Sequence, residues 1–332
     1  MWFLRKMAWP ISLLYGFVVW LRNLLYDKEL LKSKIFDVPI ICVGNLSVGG
    51  TGKTPMIEFL IRELQDQVQL AVLSRGYKRQ TSGFHLADVN VTVSELGDEP
   101  FQIYQKFPRV AVAVDVNRRN GIAELQKKVN PRLILLDDGF QHRKVKPSFA
   151  ILLTTYSNPY FEDWFLPTGN LRDSKNAVKR ADVIVVTKCP VHITEDKMQI
   201  FKTHLKPKAD QLILFSTLVY DKTLYGHPSI LSLKDLKEVT FTVVTGIANP
   251  KPLIDYLNNE HLVFEHLKFA DHHQFSSSEI TFLQNKTLVL TTEKDYMRLQ
   301  GKVERICYVK VQHQFLKDGD ALLLKHLHDT IT

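Results

Sequence analysis

The sequence predicts an α/β fold: a larger lobe with a parallel sheet, a short β hinge, and a smaller C-terminal α/β lobe. Three observations support this prediction. Short apolar runs alternate with helical segments in both halves of the chain, as in a parallel sheet covered by helices. A glycine-rich loop follows the first of these runs, after Asn45. Another run, at 133–136, ends in two adjacent acids, Asp137 and Asp138.

The length and composition are those of an ordinary globular protein. The 332 residues are enough for two domains, and 45% of them are apolar, so disorder is not indicated. A net charge of +8 favours anionic partners, namely phosphates, anionic lipids or nucleic acid. The three cysteines are far apart and fit no metal-ligand spacing, which predicts buried free thiols and a reducing compartment.

The N-terminal segment predicts a helix at the membrane interface. Residues 1–26 contain seven aromatic side chains, with Arg5, Lys6 and Arg22 as their basic residues. The uncharged core, 7–21, is shorter than the ~20 residues of a membrane span, and no cleavage site of a signal peptide follows it. Trp and Tyr rings prefer the headgroup level of a bilayer, which favours an interfacial helix. The alternative is a helix buried against the domain.

The stretch 40–55 matches a phosphate-binding P-loop, because an apolar strand, a glycine-rich loop, Gly-Lys-Thr and a helix start follow one another. In such a loop, backbone N–H groups and the helix dipole bind phosphate oxygens. Lys53 would reach the outer phosphates, and Thr54 would offer its hydroxyl group to Mg²⁺. The general pattern has glycine in place of Ser47, so a glycine-rich turn without ligand is the alternative. The predicted nucleotide-binding residues are Ser47, Val48, Gly49, Gly50, Thr51, Gly52, Lys53 and Thr54.

The acids at 137–138 predict the metal-binding end of a Walker B strand. Four apolar residues precede them, so a buried strand would deliver a carboxylate to the Mg²⁺ at the P-loop. Two acids at the tip of a parallel strand are costly without a compensating cation. The sequence leaves open which of Asp137 and Asp138 touches the metal, and the alternative is a plain turn that contains Asp-Gly.

Other polar loops follow strand-like runs, at the edge where open parallel sheets bind ligands. One is the basic loop at 74–79, and another, at 165–173, carries an arginine that could reach phosphate or sugar. Asp98 and Glu99 stand just before Pro100, where they could cap a helix or take part in catalysis. Spacing alone does not decide between these two roles.

The α/β alternation stops near 212–228, where two strand-like pieces surround Asp221-Lys222, and then restarts. This interruption predicts a hinge between two lobes. Beyond it, strand ends at 271–273 and 292–295 carry polar loops suited to a functional site. The predicted division is a membrane-interface helix at 1–27, a P-loop lobe at 28–211, a hinge at 212–228 and a C-terminal α/β lobe at 229–332.

These motifs together resemble one family, the tetraacyldisaccharide 4'-kinases of lipid A synthesis. The resemblance spans nearly the whole chain in order, and a P-loop with serine or threonine at the position of Ser47 is typical of that family. The aromatic N-terminal helix also fits. The matching segments are 43–55, 74–77, 97–100, 137–142, 166–172, 271–273 and 292–295.

The resemblance implies a kinase that moves the γ-phosphoryl group of ATP to the 4'-hydroxyl of a lipid-anchored disaccharide 1-phosphate. It implies ATP and Mg²⁺ as cofactors, and a position at the cytoplasmic face of the inner membrane, whose surface would be a partner together with the lipid substrate. No nucleic acid is predicted, because basic residues and aromatics do not form a stripe beyond the N-terminal segment. No protein partner is predicted.

The resemblance also implies catalytic roles. Lys53 would neutralise charge on the leaving group, and Asp98 would take the proton of the attacking hydroxyl. His272, from the other lobe, would orient Asp98, a pairing that no spacing in the sequence shows. Weaker candidates for substrate contacts are Tyr77, Glu99, Arg119, His142 and Arg172.

Three other classes of protein are alternatives to this family. The first is another P-loop ATPase or a small-molecule kinase at the membrane surface, which would turn over ATP without lipid. A metal-dependent phosphoesterase is suggested by the acid and histidines at 271–273, but the further ligand clusters of such a site are missing from the sequence. A membrane-bound module that senses nucleotide would keep its function without Asp98.

Overall fold

The computed structural model describes residues 2–226 and 231–331 and has the predicted α/β fold. Residues 227 and 228 of the predicted hinge, residues 229 and 230 of the predicted C-terminal lobe, and residues 1 and 332 lie outside this description. The strands are β1 (Ile40–Asn45), β2 (Leu70–Ser74), β3 (His85–Leu86), β4 (Ala111–Val114), β5 (Leu133–Asp137), β6 (Phe149–Thr155), β7 (Val183–Thr187), β8 (Leu212–Tyr225), β9 (Leu231–Ser232), β10 (Phe241–Thr245), β11 (Phe264–Lys268), β12 (Val289–Thr292) and β13 (Ile306–Phe315).

The helices cover this sheet and lead into its functional loops. They are α1 (Trp2–Met7), α2 (Trp9–Asp27), α3 (Lys53–Leu64), α4 (Val93–Leu96), α5 (Asp98–Lys106), α6 (Arg118–Lys128), α7 (Glu195–Leu205), α8 (Lys251–Asn259), α9 (Ser277–Gln284), α10 (Glu293–Leu299) and α11 (Gly319–Ile331). Helix α3 starts directly after the glycine-rich loop, as the sequence predicts, and it is buried at every residue from Met56 to Ile61 and at Leu64.

One sheet runs through the described residues in the order β11-β10-β12-β13-β8-β7-β6-β1-β5-β2-β4-β3, and β9 pairs with β8. Strands β1, β2, β5 and β7 are buried along their whole length. Strands covered on both faces appear in the sequence as continuous apolar runs. All pairs from β7 to β4 are parallel, so the carboxyl ends of these strands lie at one edge of the sheet.

Strand β8 joins the two halves of the sheet. Its first residues pair in parallel with β7, from Leu212 beside Val183 onwards, and its later residues pair antiparallel with β13. The sequence predicts two strand-like pieces here, whereas the structure has one continuous strand of 14 residues. The second strand of the hinge is β13, which comes from near the C-terminus and therefore could not be identified from this segment.

The C-terminal helix α11 returns to the first half of the sheet. Leu323 and Leu327 are fully buried in the same cluster as Ile41, Val43 and Leu214. This packing differs from the predicted division, which assigns the whole chain after the hinge to the second lobe. The apolar face of α11 finds its partner in the first lobe because β13 leads the chain back along β8.

Helix α2 turns its small and polar side chains towards the protein body. Ser12, Gly16, Val19 and Asn23 are its buried residues, and they recur every three or four positions. Asn23 Nδ2 donates a hydrogen bond of 2.7 Å to Oδ1 of Asp173, which is fully buried. The predicted N-terminal helix is thus fastened to the first lobe by hydrogen bonds and by close packing of Gly16 against the Phe165 ring.

The opposite face of α2 is apolar and exposed. Trp9, Phe17 and Trp20 are 56%, 55% and 53% exposed, and Leu13 and Leu14 are exposed beside them. An exposed apolar surface of this kind marks a binding surface for a partner or a membrane. Across residues 2–226 and 231–331, the structure contains no helix with the length and hydrophobicity that a membrane span requires.

Candidate active site

The P-loop connects β1 to α3, and two of its glycines have backbone angles that other residues avoid. The φ angle is 125° at Gly49 and 89° at Gly52. The buried side chain of Asn45 supports the loop, because its Nδ2 donates to the Ser47 carbonyl at 2.7 Å and to Thr51 Oγ1 at 3.0 Å. The loop therefore has a defined shape before any ligand binds.

The predicted loop residues differ in what they offer to a ligand. Ser47 Oγ is buried and has no hydrogen-bond partner within the described part of the chain. The Val48 N–H group donates to the Asn170 carbonyl at 2.7 Å, and the Val48 side chain is exposed. The amide of Val48 is thus occupied by a backbone carbonyl in this conformation.

Lys53 and Asp138 meet beside Asn45 and Arg172. Lys53 Nζ lies 3.4 Å from Asn45 Oδ1 and 3.6 Å from Asp138 Oδ1. Arg172 donates to both oxygens of Asp138, at 2.9 and 3.1 Å, and also donates to Asn45 Oδ1. Burial alone would raise the pKa of Asp138, but Lys53 and Arg172 hold that pKa well below its ordinary value. The P-loop lysine and the second predicted acid thus share one cluster.

Asp137 ends β5 and is buried next to this cluster. Ser74 Oγ donates to its Oδ2 at 2.9 Å, whereas its Oδ1 is buried without a hydrogen-bond partner in the described residues. Burial and the charge of Asp138 raise the pKa of Asp137 to about 6. A buried carboxylate oxygen without a donor is suited to a cation.

These residues fit Mg²⁺ in the manner of phosphoryl-transfer enzymes. Such enzymes hold the ion by one or two carboxylates together with substrate phosphates and water. No group of three or more His, Cys, Asp and Glu side chains within 2–226 and 231–331 is arranged to enclose a metal by itself. The free Oδ1 of Asp137, the carboxylate of Asp138 and the hydroxyl of Thr54 are the available oxygen ligands.

Asp98 and His272 form a hydrogen-bonded pair between the two lobes. His272 Nδ1 lies 2.7 Å from Asp98 Oδ2, and both side chains are largely buried. Asp98 begins α5, and His272 has a left-handed backbone with φ 61°, a conformation that costs free energy and concentrates at functional sites. The structure therefore brings together the two residues that the resemblance pairs.

Lys294 determines the tautomer of this histidine. Its ammonium group lies 3.2 Å from His272 Nε2 and 2.7 Å from Glu99 Oε1. Because an ammonium group can only donate, Nε2 accepts and Nδ1–H donates to Asp98. Burial alone would raise the pKa of Asp98, but the His272 hydrogen bond and the charges of Arg298 and Lys294 lower it below its ordinary value. Asp98 is thus an ionised carboxylate that can accept a proton.

A cavity of about 500 Å³ lies between the lobes and connects the P-loop helix to this network. Thr54 and Glu99 contribute to its wall from the first lobe, Tyr220 from the hinge, and Leu253 and Lys294 from the second lobe. Its size and its mixed apolar and polar lining are those of a small-ligand site.

The five weaker candidates have different surroundings. Arg172 and Glu99 belong to the two networks described above. The Tyr77 ring is exposed and meets the His272 ring edge-on, with 5.7 Å between their centroids. Burial and the charges of Arg118 and Arg75 lower the pKa of His142 to about 4, so its imidazole is neutral. Arg119 is exposed.

Two residues of the site that no sequence motif indicates are Arg118 and His313. Arg118, rather than Arg119, is buried there, and it donates to the Asp115 carbonyl at 2.8 Å and to the Asp137 carbonyl at 3.4 Å. The spacing of a helix start does not reveal which of two adjacent arginines turns inward.

The other missed residue is His313 of β13, whose Nε2 lies 2.9 Å from the Gly52 carbonyl. A carbonyl only accepts, so Nε2 carries the proton and Nδ1 accepts from Ser216 Oγ at 3.0 Å. Burial lowers the pKa of His313 to about 4, which keeps this tautomer neutral. Nothing in the local sequence points to a contact between β13 and the P-loop.

Comparison with known proteins gives matches over nearly the whole chain. The family model described as tetraacyldisaccharide-1-P 4'-kinase matches residues 4–328. A protein of Flavobacterium johnsoniae named tetraacyldisaccharide 4'-kinase is 47% identical over 337 residues, which cover 99% of this chain and 98% of that relative. A protein of the same name from Flavobacterium psychrophilum is 43% identical, with 99% of each chain covered.

A solved structure is similar as well. The crystal structure of LpxK from Aquifex aeolicus in complex with ATP matches with a TM-score of 0.83 and 30% sequence identity. The match covers 99% of this chain and 100% of that one. The fold of this chain is thus shared with a protein that was crystallised in complex with ATP.

Proposed function

The chain belongs to the tetraacyldisaccharide-1-P 4'-kinase family, a family of phosphotransferases in lipid A biosynthesis, and we propose the following roles for its residues. The P-loop residues from Ser47 to Thr54 hold the β- and γ-phosphates of ATP, with Val48 contributing shape rather than its amide. Lys53 moves from Asp138 to the phosphates and neutralises charge on the leaving ADP. The contact between Lys53 and Asp138 supports this role, because it keeps the lysine at the loop until ATP arrives.

Mg²⁺ would be held by Thr54, Asp137 and Asp138. When bound, it neutralises charge on the β- and γ-phosphates. Asp137 is the stronger candidate for a direct ligand, because its Oδ1 has no donor in the described residues, whereas Asp138 already binds Lys53 and Arg172. Arg172 donates to both oxygens of Asp138 and so holds this carboxylate in a fixed orientation.

Asp98 acts as the general base. The 4'-oxygen of the disaccharide attacks the γ-phosphorus, the bond from that phosphorus to the β–γ bridging oxygen breaks, and the hydroxyl proton passes to Asp98. His272 holds the carboxylate in place through its Nδ1–H group, and Lys294 fixes the tautomer of His272. Because the two members of this pair come from different lobes, the base is in position only when the lobes are together, a state that also excludes water.

The lipid substrate would reach this site from the membrane. We infer that α2 lies in the interface at the cytoplasmic face of the inner membrane, with the exposed face of Trp9, Phe17 and Trp20 among the acyl chains. Its other face is fastened to Asp173 and to the segment that carries Arg172. This arrangement would place the membrane surface beside Arg172. Lys28, Lys32 and Lys34 would then face anionic headgroups.

We propose a modified division of the chain into lobes. The first lobe would comprise 28–211 together with the C-terminal residues that include α11, and β8 with β13 would form the hinge. The burial of Leu323 and Leu327 in the core of the first lobe supports this division. Helices α1 and α2 and the second lobe around β10, β11 and β12 would remain separate parts of the chain, as the sequence predicts.

The hydrogen bond between Asp98 and His272, opposite a P-loop, is the single observation that carries the proposed mechanism. A kinase assay with labelled ATP and the disaccharide 1-phosphate lipid in mixed micelles tests the function. Label is expected in the lipid fraction with the wild type and at background with Lys53→Ala. ATP hydrolysis without labelled lipid would instead indicate another P-loop ATPase.

A further inference from the structure

Lys188 lies at the carboxyl end of β7, directly beside the P-loop. Its ammonium group is close to Gly50, because a Cβ atom built onto this glycine would lie 3.9 Å from Lys188 Nζ. The preceding residue, Thr187, is fully buried and donates from its Oγ1 to the Thr51 carbonyl at 2.8 Å. The end of β7 is therefore fastened to the middle of the P-loop, and Lys188 is the next residue after this attachment.

The backbone of Lys188 is in an unusual conformation. Its φ angle of 56° is in the left-handed region, which costs free energy for a residue with a Cβ atom. The surrounding contacts must therefore hold it there, and the amide of the next residue, Cys189, donates to the Ser216 carbonyl at 3.0 Å. The Lys188 side chain forms part of the wall of the cavity between the lobes.

The charges of this cavity are otherwise paired. Among its lining residues, Glu99 binds Lys294 at 2.7 Å, and Glu293 binds Lys106 at 2.8 Å. In the described part of the chain, Lys188 has neither an acidic partner nor a hydrogen-bond acceptor. Partial desolvation lowers its pKa, although the residue as a whole remains exposed. An ammonium group in this position is complementary to an anion that enters from the cavity.

Lys53, unlike Lys188, has an acidic partner. Lys53 already has the Asp138 carboxylate within 3.6 Å, so its charge is partly compensated before a nucleotide arrives. The positive charge that faces the cavity beside the loop is that of Lys188. A phosphate oxygen bound to the backbone of the loop near Gly50 would lie within reach of its flexible side chain.

We propose that Lys188 is a second nucleotide-binding lysine, whose ammonium group binds an oxygen of the β-phosphate of ATP on the β7 side of the P-loop. This inference rests on the kinase function proposed above and adds a contact to it. The end of β7 thereby joins the end of β5 and the P-loop as a third element of the phosphate site.

Two substitutions separate the charge of Lys188 from its backbone strain. Lys188→Asn removes the charge but tolerates the left-handed conformation, and Lys188→Arg keeps the charge. Lys188→Asn should raise KM for ATP about tenfold, as expected for one charge-assisted contact, and Lys188→Arg should retain most of the wild-type affinity. Lys206→Asn is the matched control, because Lys206 has φ 49° at an exposed helix end.

Equilibrium binding of Mg²⁺-ADP and of adenosine then identifies the group that is bound. The inference requires that Lys188→Asn weakens ADP binding about tenfold, leaves adenosine binding and the unfolding temperature unchanged, and differs from Lys206→Asn. Equal losses for ADP and adenosine, or wild-type binding of ADP by Lys188→Asn, would overturn it. Absence of lipid phosphorylation by the wild type would instead contradict the proposed function, independently of Lys188.

Discussion

His272 Nδ1 lies 2.7 Å from Asp98 Oδ2, although the two residues are 174 positions apart and belong to different lobes. Lys294 occupies the other ring nitrogen of His272, and Arg298 lies 3.5 Å from the same Asp98 oxygen. Both of these cations come from the second lobe. The orientation of the Asp98 carboxylate therefore depends on contact between the two lobes.

Removal of either member of this pair should reduce kcat strongly. Asp98→Asn removes the proton acceptor and should lower kcat about 10²- to 10⁴-fold, the usual contribution of a general base. His272→Ala should lower kcat less than Asp98→Asn, and the double variant should be no worse than Asp98→Asn because the two act as a unit. Steady-state rates of lipid phosphorylation provide the measurement.

His273 offers a matched control for this prediction. It neighbours His272 and has its own acidic partner, Glu279, at 3.0 Å within the second lobe. His273→Ala should therefore keep kcat within about threefold of the wild type, an estimate for residues outside the reacting groups. Equal losses in His272→Ala and His273→Ala would mean that this segment matters only for folding.

The contact between His313 and Gly52 should set the affinity for ATP. His313→Asn can still bind Ser216 but does not reach the Gly52 carbonyl, whereas His313→Gln places an amide near the position of Nε2. Loss of one hydrogen bond to the loop should raise KM for ATP about tenfold in His313→Asn and little in His313→Gln. Titration of both variants with ATP compares them, and equal KM values would show that this hydrogen bond does not position the loop.

Ionisation of Glu293 should lower the free energy of unfolding as the pH rises. Burial and the neighbouring charge of Glu58 raise the pKa of Glu293 to about 7, from an ordinary value of 4.5. The folded state therefore binds more protons than the unfolded state between these values. The contribution of Glu293 to the free energy of unfolding is fully present below pH 4.5 and is lost as pH rises through 7.

Glu293→Gln should remove this dependence. The Gln variant cannot ionise, so its free energy of unfolding should change less than that of the wild type over the same pH range. Lys106 keeps Glu58 as a partner at 2.6 Å, so the variant should still fold. Chemical denaturation at several pH values measures the difference, and parallel pH profiles for the two proteins would refute the assignment to Glu293.

The exposed face of α2 should control membrane binding. Trp20→Glu places a charge where an aromatic ring would enter the interface, and should reduce binding to anionic vesicles about tenfold or more. Val263→Glu is the control, because Val263 is 89% exposed in the second lobe and outside this face. Vesicle sedimentation compares the two variants, and an equal bound fraction would argue against α2 as the membrane contact.

The sequence was informative where local pattern determines structure. The buried run of β1, the glycines of the loop and the acids after β5 predict a P-loop and a Walker B strand, and the structure joins Lys53 to Asp138 as these patterns indicate. The α/β fold follows from the same alternation of apolar runs and helices. These features depend on neighbouring residues, so a single chain is enough to predict them.

Contacts between distant segments could not be predicted in this way. Only the resemblance to the kinase family predicts the pairing of Asp98 with His272. No sequence motif indicates that Lys294 fixes the tautomer of His272. Helix α11 packs on the first lobe although it follows the second in the chain. Tertiary packing determines these contacts, and neither periodicity nor composition carries information about it.

The most direct test of the account follows the labelled phosphate itself. ATP with ¹⁸O in its γ-phosphate is incubated with the enzyme and tetraacyldisaccharide 1-phosphate, and the lipid is analysed by mass spectrometry and ³¹P NMR. The proposed function requires that labelled phosphate appears at the 4'-position in amounts equal to the ADP released. Labelled inorganic phosphate with unchanged lipid, or a phosphate at another hydroxyl group, would contradict it.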